Sequence, residues 1–238
     1  MTFRLKRAAA PRTWTIPRKG TKWIKRPGPG PHAQEQSVPL QLVLRDVLGI
    51  ARSAREARIL AREGHVKVDG QFVKNLDRGV GLMDTLSLSA PLDAHYRMVK
   101  NRRGKLVLVK IPSPEAGVKI GQVRFKHTVP SGRVEVTLHD GRNLLVAAST
   151  PYRVGDSVKI EVPTQKVLDH YKLAPGVLAF VAGGSHVGQL ARVDRIEVRN
   201  SSQANLVHFQ EGFSTTKEYV FVVGQKAPDV TVAEGIER

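Results

Sequence analysis

The first regular pattern along the chain is a pair of helical repeats. Five apolar residues recur at intervals of three and four, the spacing of one helix face: Leu40, Val43, Leu44, Val47 and Leu48. Ser37 is predicted to be the N-cap of this helix, with Pro39 in its first turn and Gly49 at its end. A second helix is predicted over Ser53–Glu63, and Gly64 stops it.

The second helix has two distinct faces on a helical wheel. Its small apolar face consists of Ala54, Ala57, Leu60 and Ala61. Its basic face consists of Arg52, Arg55, Arg58 and Arg62. A face of small residues favours close packing, and an arginine face favours contact with phosphates. A solvated face with local pairs, such as Arg52 with Glu56, is an equally open interpretation.

The pattern then changes from helical to alternating. His65–Val73 alternates about Asp69-Gly70 and predicts a hairpin, and Leu86–Leu88 predicts a short strand. Further strands are predicted at Leu106–Ile111, Val118–Phe125, Val134–Leu138, Leu144–Val146 and Val158–Val162. Several short strands separated by turns are typical of a small β-barrel or sandwich, and nothing in this region indicates catalysis.

A glycine-rich loop interrupts the last β region. The apolar strand Val177–Val181 precedes Gly183–Gly188, and Ala191–Val193 follows. The spacing of Gly183 and Gly188 matches a P-loop, but Gln189 and Leu190 occupy the places of its Lys and Ser/Thr, so no nucleotide site is predicted. Glycines at positive φ allow backbone to approach RNA, and an ordinary turn is the alternative, which does not exclude that contact.

Positive charge is concentrated at the beginning of the chain. Residues 1–34 contain nine basic residues and no acidic one, so they carry +9 of the formal net charge of +17. Five prolines disfavour regular helix there, and both tryptophans, Trp14 and Trp23, lie among the cations. We expect this arm to lie on RNA, mobile in isolation and ordered only on binding. Docking of the tryptophans on the protein's own core is the alternative.

Several classes of protein are disfavoured by composition. There is no cysteine, no apolar run near 18 residues and no apolar leader, so disulfides, thiolate metal sites, a membrane span and secretion are not expected. The eight histidines are scattered, without HExxH or G-x-S-x-G. We therefore expect no catalytic residue, no metal and no cofactor.

Two local resemblances indicate RNA-binding modules. Two short helices, a glycine and a strand ending in Val68-Asp69-Gly70 resemble the S-four-type RNA-binding domain, whose helices and turn present cations to structured RNA. The resemblance implies RNA contacts at Arg45, Arg52, Arg55, Arg58, Lys67, Lys74 and Arg78. The strand–loop–strand around Gly183–Gly188 resembles the KOW motif, although Ala191 stands where that motif usually has glycine.

The wider pattern resembles one family, the archaeal and eukaryotic small-subunit ribosomal proteins S-four-e. The motifs that carry the resemblance are Lys6-Arg7 with Pro11, Trp14, Ile16 and Arg18, then Arg26–His32, Leu44–Leu48, Val80–Asp84, Asp140–Asn143, Phe213–Thr216 and Tyr219–Gly224. Arg4 and Ala8 depart from the pattern. The resemblance implies a non-catalytic, rRNA-binding constituent of the small ribosomal subunit.

The predicted fold is a multidomain α+β protein with four segments. These are a basic extended N-terminal arm (1–35), a small S-four-like α/β module (36–92), a central β domain (93–172) and a C-terminal KOW-type, SH3-like β-barrel with a tail (173–238). The expected partners are small-subunit rRNA and neighbouring ribosomal proteins in the cytoplasmic ribosome, with no membrane and no homo-oligomer.

The candidate RNA-binding residues lie in three of these segments. They are Arg4, Lys6, Arg7, Arg12, Trp14, Arg18, Lys19, Lys22, Trp23, Lys25, Arg26 and His32 in the arm, the seven cations of the S-four-like module named above, and Gly184, Ser185, His186 and Gly188 in the glycine-rich loop.

Two rival functions remain open. An RNA-modifying enzyme would carry the same small module, but fewer than 150 residues follow residue 92, which is short for an added catalytic domain. A transcription or translation factor with a KOW domain would bind reversibly, and the long basic arm favours permanent burial in rRNA instead.

Overall fold

The computed structural model describes residues 4–90, 92–130, 132–200 and 203–232. It divides into two compact units. Unit 1 consists of the chain up to Val99 together with Lys105–Gly117, and unit 2 consists of Lys100–Gly104 and the chain from Val118 onward. Within the described residues, no helix is long and apolar enough to cross a bilayer.

Unit 1 combines short helices with three antiparallel sheets. Its elements are β1 (Arg4–Lys6), β2 (Trp23–Lys25), β3 (Ser37–Pro39), α1 (Leu40–Leu42), a π-type continuation (Val43–Val47), α2 (Ala54–Arg62), β4 (Val66–Val68), β5 (Gln71–Phe72), β6 (Gly79–Gly81), β7 (Thr85–Leu88), β8 (Ala94–Lys100) and β9 (Leu106–Ile111). β1 pairs with β2, β3 pairs with β6, and the main sheet has the order β5-β4-β7-β8-β9.

The start of the first helix differs from the prediction. Ser37 and Pro39 are in strand β3, whose partners in β6 are Gly81 and Gly79, and the helix begins only at Leu40. The Ser37 hydroxyl donates to the carbonyl of Ala33 at 3.0 Å instead of capping the helix. Ser37 is therefore not an N-cap, because strand pairing holds this segment in extended backbone.

The second helix and the following hairpin are confirmed. Ser53 is the N-cap of α2, where its hydroxyl accepts from the Glu56 backbone N–H at 3.2 Å. Asp69 and Gly70 have φ of +50° and +74°, the left-handed pair that a tight two-residue hairpin requires. The hairpin joins β4 to β5 at the edge of the main sheet.

The core of unit 1 includes residues of the N-terminal arm. Ala10, Trp14, Ile16 and Ile24 belong to the same buried cluster as the apolar faces of α1 and α2 and the strands of the main sheet. The arm is thus packed on unit 1 as an ordered part of its fold. The prediction that it orders only on RNA is wrong, because the arm's apolar residues join a core that the rest of the unit provides.

The described residues of unit 2 form β-strands, turns and one short 3-10 helix (Lys217–Tyr219). Its strands are β10 (Val118–Thr128), β11 (Val134–Leu138), β12 (Asn143–Val146), β13 (Ser157–Glu161), β14 (Val167–Tyr171), β15 (Leu178–Val181), β16 (Leu190–Glu197), β17 (Leu206–Phe209), β18 (Ser214–Thr216) and β19 (Val220–Gly224). One antiparallel sheet has the order β12-β11-β10-β13-β14, and the other β18-β17-β16-β15-β19.

The two sheets of unit 2 are joined through buried polar contacts. The Gln122 side-chain amide donates to the Val220 carbonyl at 2.8 Å, and Val222 N–H donates to the Ser157 hydroxyl at 3.0 Å. Each sheet also buries its own apolar cluster. The second half of the chain is therefore mostly β-sheet, as predicted.

The division into units differs from the predicted segments at two places. The sequence predicts a central β domain beginning at residue 93, but β8 and β9 complete the main sheet of unit 1. The sequence also predicts a boundary between residues 172 and 173, but both sides of it belong to unit 2. The change of unit comes at Val118, after the 3-10 turn Ser113–Gly117. Alternation along a strand predicts that the strand exists but does not say which sheet it joins.

Candidate nucleic-acid interface

The hairpin-like pair β1–β2 presents a basic ribbon on one face. Arg4 lies opposite Lys25 and Lys6 lies opposite Trp23, while Leu5 and Ile24 are paired between them. Successive side chains point to opposite faces of a strand, and Ile24 is buried, so Arg4, Lys6 and Trp23 are on the outer face. Lys25 is half-buried and pairs with Asp77 at 2.7 Å. We call Arg4, Lys6, Lys22, Trp23 and Lys25 the basic ribbon.

Trp23 is the exposed aromatic side chain of this ribbon. Its side chain is 49% exposed, and the Lys22 ammonium lies 5.7 Å from its ring centroid. Lys6 is directly across on the neighbouring strand. An accessible indole between cations offers a surface on which a base can stack while its phosphate meets an ammonium group.

Trp14 is inside the molecule, contrary to the predicted RNA contact. It is 2% exposed and forms a parallel bridge with Leu106 of β9. On either side, Leu106 N–H donates to the Thr13 carbonyl and the Thr15 hydroxyl donates to the Leu106 carbonyl, both at 2.7 Å. For Trp14, docking on the protein's own core is therefore the correct alternative.

Arg7 is likewise a structural residue. It is 6% exposed, and its guanidinium donates to the carbonyls of Pro17 (2.9 Å) and Thr21 (3.1 Å) and to the Thr21 hydroxyl (3.1 Å). Asp46 lies 3.7 Å away. Because its donors are directed at the arm's own backbone, Arg7 stabilises the loop between β1 and β2. Its predicted RNA contact is replaced by this internal structural role.

Arg18 braces the same loop but stays at the surface. Its guanidinium donates to the carbonyls of Ala8 (3.0 Å), Ala10 (2.6 Å) and Pro11 (3.2 Å). Four further cations of the arm are exposed and form no ion pair among the described residues: Arg12, Lys19, Lys22 and Arg26. These four keep their charge available to a polyanion.

His32 is buried and holds a turn of unit 1. Its Nε2 lies 2.9 and 3.0 Å from the two oxygens of Asp84, and the two side chains are 2% and 1% exposed. Asp84 also accepts from Gly81 N–H at 2.8 Å. A Cβ at Gly81 would lie 2.3 Å from the His32 ring, so this glycine is required for close packing. His32 is therefore a packing residue, and this role replaces its predicted RNA contact.

The exposed face of α2 presents a row of arginines. Ala57 and Ala61 are fully buried, and this anchors the small face of the helix in the core. On the other side Arg55, Arg58 and Arg62 are exposed, as is Arg52 just before the N-cap, and none of the four forms an ion pair with a carboxylate of the described residues. Glu56 accepts the Arg52 backbone N–H at 2.7 Å, so the side-chain pair of the alternative interpretation is replaced by a backbone contact. We call these four residues the arginine face.

The remaining candidates of unit 1 have mixed surroundings. Arg45 pairs with Asp46 at 2.8 Å and is half-buried. Lys74 is exposed and Arg78 is half-buried. Lys67 places its ammonium 4.5 Å from the ring centroid of Phe72, which is 61% exposed. Sequence reasoning missed Phe72, since alternation in a hairpin alone does not show which apolar residue faces solvent.

The glycine-rich loop of unit 2 is only partly available. Gly184, with φ of +85°, and Ser185 are exposed. His186 stacks on Phe213 with centroids 4.2 Å apart. Gly188 is buried, and a Cβ there would lie 2.4 Å from the backbone of Asn101, so close packing within unit 2 explains this glycine. Gly188 is therefore a packing position, and this role replaces its predicted RNA contact.

Comparison with known proteins gives a consistent result over the chain. Residues 92–167 match the model of Ribosomal family S4e, residues 1–35 the RS4NT (NUC023) domain and residues 38–86 the S4 domain. The small ribosomal subunit protein eS4 of Thermoplasma volcanium is 41% identical over 235 residues, covering 99% of this chain and 98% of that protein. The eS4 protein of Methanothermobacter thermautotrophicus is 39% identical, covering 97% and 96%.

A solved structure shows the same similarity. The crystal structure of the 30S ribosomal protein S4e from Thermoplasma acidophilum has a TM-score of 0.71 and 38% identity, covering 80% of this chain and 96% of that one. The S4 domain is an RNA-binding module, so the chain is an RNA-binding protein. This chain belongs to the S4e family of small-subunit ribosomal proteins.

Family membership confirms three predictions made from the sequence. The chain is a structural constituent of the small ribosomal subunit, it is not an enzyme, and it works within the cytoplasmic ribosome. The rival interpretation as an RNA-modifying enzyme is therefore excluded.

Proposed function

We propose that the chain stabilises packed small-subunit rRNA through two surfaces of unit 1, the basic ribbon and the arginine face. The observation that carries the proposal is that the cations of both surfaces, apart from Lys25 with its partner Asp77, are exposed and have no carboxylate partner among the described residues. Such cations displace counterions from phosphates, and the counterions they release favour association. Because the arm is already packed on unit 1, ordering it on RNA costs less than ordering a free tail.

The two surfaces are proposed to contact RNA differently. The arginine face offers guanidinium groups along one helix side, which suits the phosphate rows of structured RNA. The basic ribbon adds the exposed Trp23, which suits an unstacked base. Recognition of this kind depends on RNA shape more than on base sequence.

The experiment is the salt dependence of binding to a small-subunit rRNA fragment. The Arg55→Ala/Arg58→Ala variant should lower the slope of log affinity against log salt by about 1.8, at about 0.9 per lost contact with duplex phosphate. The matched control is Arg103→Ala/Lys110→Ala, which removes two exposed charges outside both surfaces. Equal slopes for the two variants would refute the assignment of the arginine face.

The C-terminal segment is proposed to be a KOW-type, SH3-like barrel that contacts RNA through its glycine-rich loop. In support, β15–β19 form a five-stranded antiparallel sheet, and Gly184 and Ser185 are exposed at its loop. The stacked pair of His186 and Phe213 could continue its stack onto a base. His186→Ala should weaken rRNA-fragment binding about fivefold or more, for a base stack of about 1–3 kcal/mol, and unchanged affinity would argue against this contact.

A neighbouring ribosomal protein is proposed to contact the outer face of β10–β12. Phe125 and Leu145 are 68% and 60% exposed, and the strand pairing places both on the same face. His127 on this face pairs with Glu135 at 3.0 Å. A photo-crosslinker at Phe125 in assembled subunits should mark protein, and crosslinks only to rRNA would overturn this contact.

A further inference from the structure

A cleft in unit 2 lies outside every surface described above. It has a volume of about 620 Å³, within the usual range of roughly 300–1,000 Å³ for small-ligand sites. One side is formed by the last two residues of β14 and the segment that follows it: His170, Tyr171, Lys172 and residues 174–177. Arg192 of β16, Val222 of β19 and the following Gln225 and Lys226 form the rest. Chain segments distant in sequence thus meet around one opening.

The lining of the cleft is strongly biased towards positive charge. Lys172, Arg192 and Lys226 line it together with His170, and no lining residue is acidic. The nearest acidic groups are already engaged. Asp156 pairs with His170 Nε2 at 2.9 Å, and Asp169 accepts the His170 backbone N–H at 2.7 Å. Asp229 accepts from the Tyr171 hydroxyl, and Glu211 accepts the Arg192 backbone N–H at 3.0 Å. The cleft therefore favours an anionic occupant.

The walls between the cations are apolar and firmly held. Pro175, Val177 and Val222 line the cleft, and Val222 is fully buried in the sheet. The Arg192 guanidinium donates to the Lys226 carbonyl at 3.0 Å and fixes the loop after β19. Tyr171, another lining residue, donates its hydroxyl to Asp229, and its burial together with this bond raises the pKa of Tyr171.

We propose that this cleft binds one unpaired nucleotide of RNA, with its phosphates on Lys172, Arg192 and Lys226 and its base against Pro175 and Val177. The apolar walls favour a planar base over the polar side chains of an acidic peptide, which would use the cations alone. Gln225 supplies an amide that can donate to and accept from a base edge. The inference rests on the proposed function and adds a single-strand site in unit 2 to the surfaces of unit 1.

The first experiment uses the full chain with labelled methyl groups and a uridine hexanucleotide as the probe. The hexanucleotide should shift the methyl resonances of Ala174, Val177 and Val222, and a duplex of the same length should not. A hexaglutamate peptide is the second probe. Equal shifts with the peptide would identify an acidic-peptide site, and the absence of hexanucleotide shifts would refute a nucleotide site; either result overturns the proposal.

In the second experiment, one variant removes charges from the cleft and another fills its volume. Lys172→Ala/Lys226→Ala should weaken hexanucleotide binding about tenfold and lower the salt slope by about 1.4, at about 0.7 per phosphate of a single strand. The control Arg133→Ala/Lys166→Ala removes two exposed charges of unit 2 away from the cleft and should leave the slope unchanged. Ala174→Trp keeps all charges but fills the cleft, and it should abolish the methyl shifts of Val177 and Val222.

These results separate the cleft from the proposed function as a whole. If the cleft variants bind the hexanucleotide as the control does, the cleft proposal is refuted even when rRNA binding persists. If the wild-type chain binds no small-subunit rRNA fragment, the proposed function itself fails.

Discussion

The two tryptophans of the arm should respond to substitution in opposite ways. Trp14 is 2% exposed in the core of unit 1, whereas Trp23 is 49% exposed on the basic ribbon. A buried tryptophan removes roughly 150–250 Å² from water, which at about 25 cal/mol per Å² is worth about 4–6 kcal/mol. Measured truncations of this kind cost about 3–5 kcal/mol, so Trp14→Ala should remove a large part of the stability of unit 1.

Trp23→Ala should instead leave stability nearly unchanged and weaken RNA binding. Loss of a base stack of about 1–3 kcal/mol corresponds to an affinity about 5- to 150-fold lower. Thermal unfolding and rRNA-fragment binding would be measured on both variants, with Trp23→Phe as a control that keeps an aromatic face. Trp14→Ala should lower the melting temperature by at least about 10 °C. A Trp14→Ala protein as stable as wild type would contradict the structural role of Trp14, and a Trp23→Ala protein with wild-type affinity would contradict the RNA contact of Trp23.

Further predictions concern unit 2. Gly188→Ala should destabilise the protein by more than about 2 kcal/mol in urea unfolding, because its Cβ would lie 2.4 Å from the backbone of Asn101. Gly184→Ala, with the same left-handed φ but more space, should cost only about 1–2 kcal/mol, and equal losses would contradict this difference. The raised pKa of Tyr171 means that the folded state keeps a proton which the unfolded state loses near pH 10. Stability should therefore fall as pH rises above about 10, less so in Tyr171→Phe, and matching alkaline unfolding curves would contradict the assignment.

Much of the local structure could be predicted from short-range patterns. The helix α2 is confirmed because Ser53 caps it and Ala57 and Ala61 recur on the buried side. The hairpin at Asp69-Gly70 is confirmed because both residues adopt positive φ. These features depend on neighbours within a few residues, which the sequence displays directly.

Long-range packing explains the predictions that failed. Ser37 has the residue type of an N-cap, but its pairing with Gly81 in β6 holds it in a strand. Arg7 and Trp14 have the residue types of an RNA contact, but unit 1 supplies partners for them at Asp46 and Leu106. Composition shows that cations are abundant, and it does not show which of them the fold uses internally.

The central claim, a permanent rRNA contact within the small subunit, is tested most directly by sedimentation. A native lysate of cells that make this chain is separated on sucrose gradients at low and high salt, and the chain is followed by antibody. We expect the chain to sediment with small subunits and to remain there after the high-salt wash. Release by salt, or a peak at the top of the gradient, would contradict the claim and indicate transient binding.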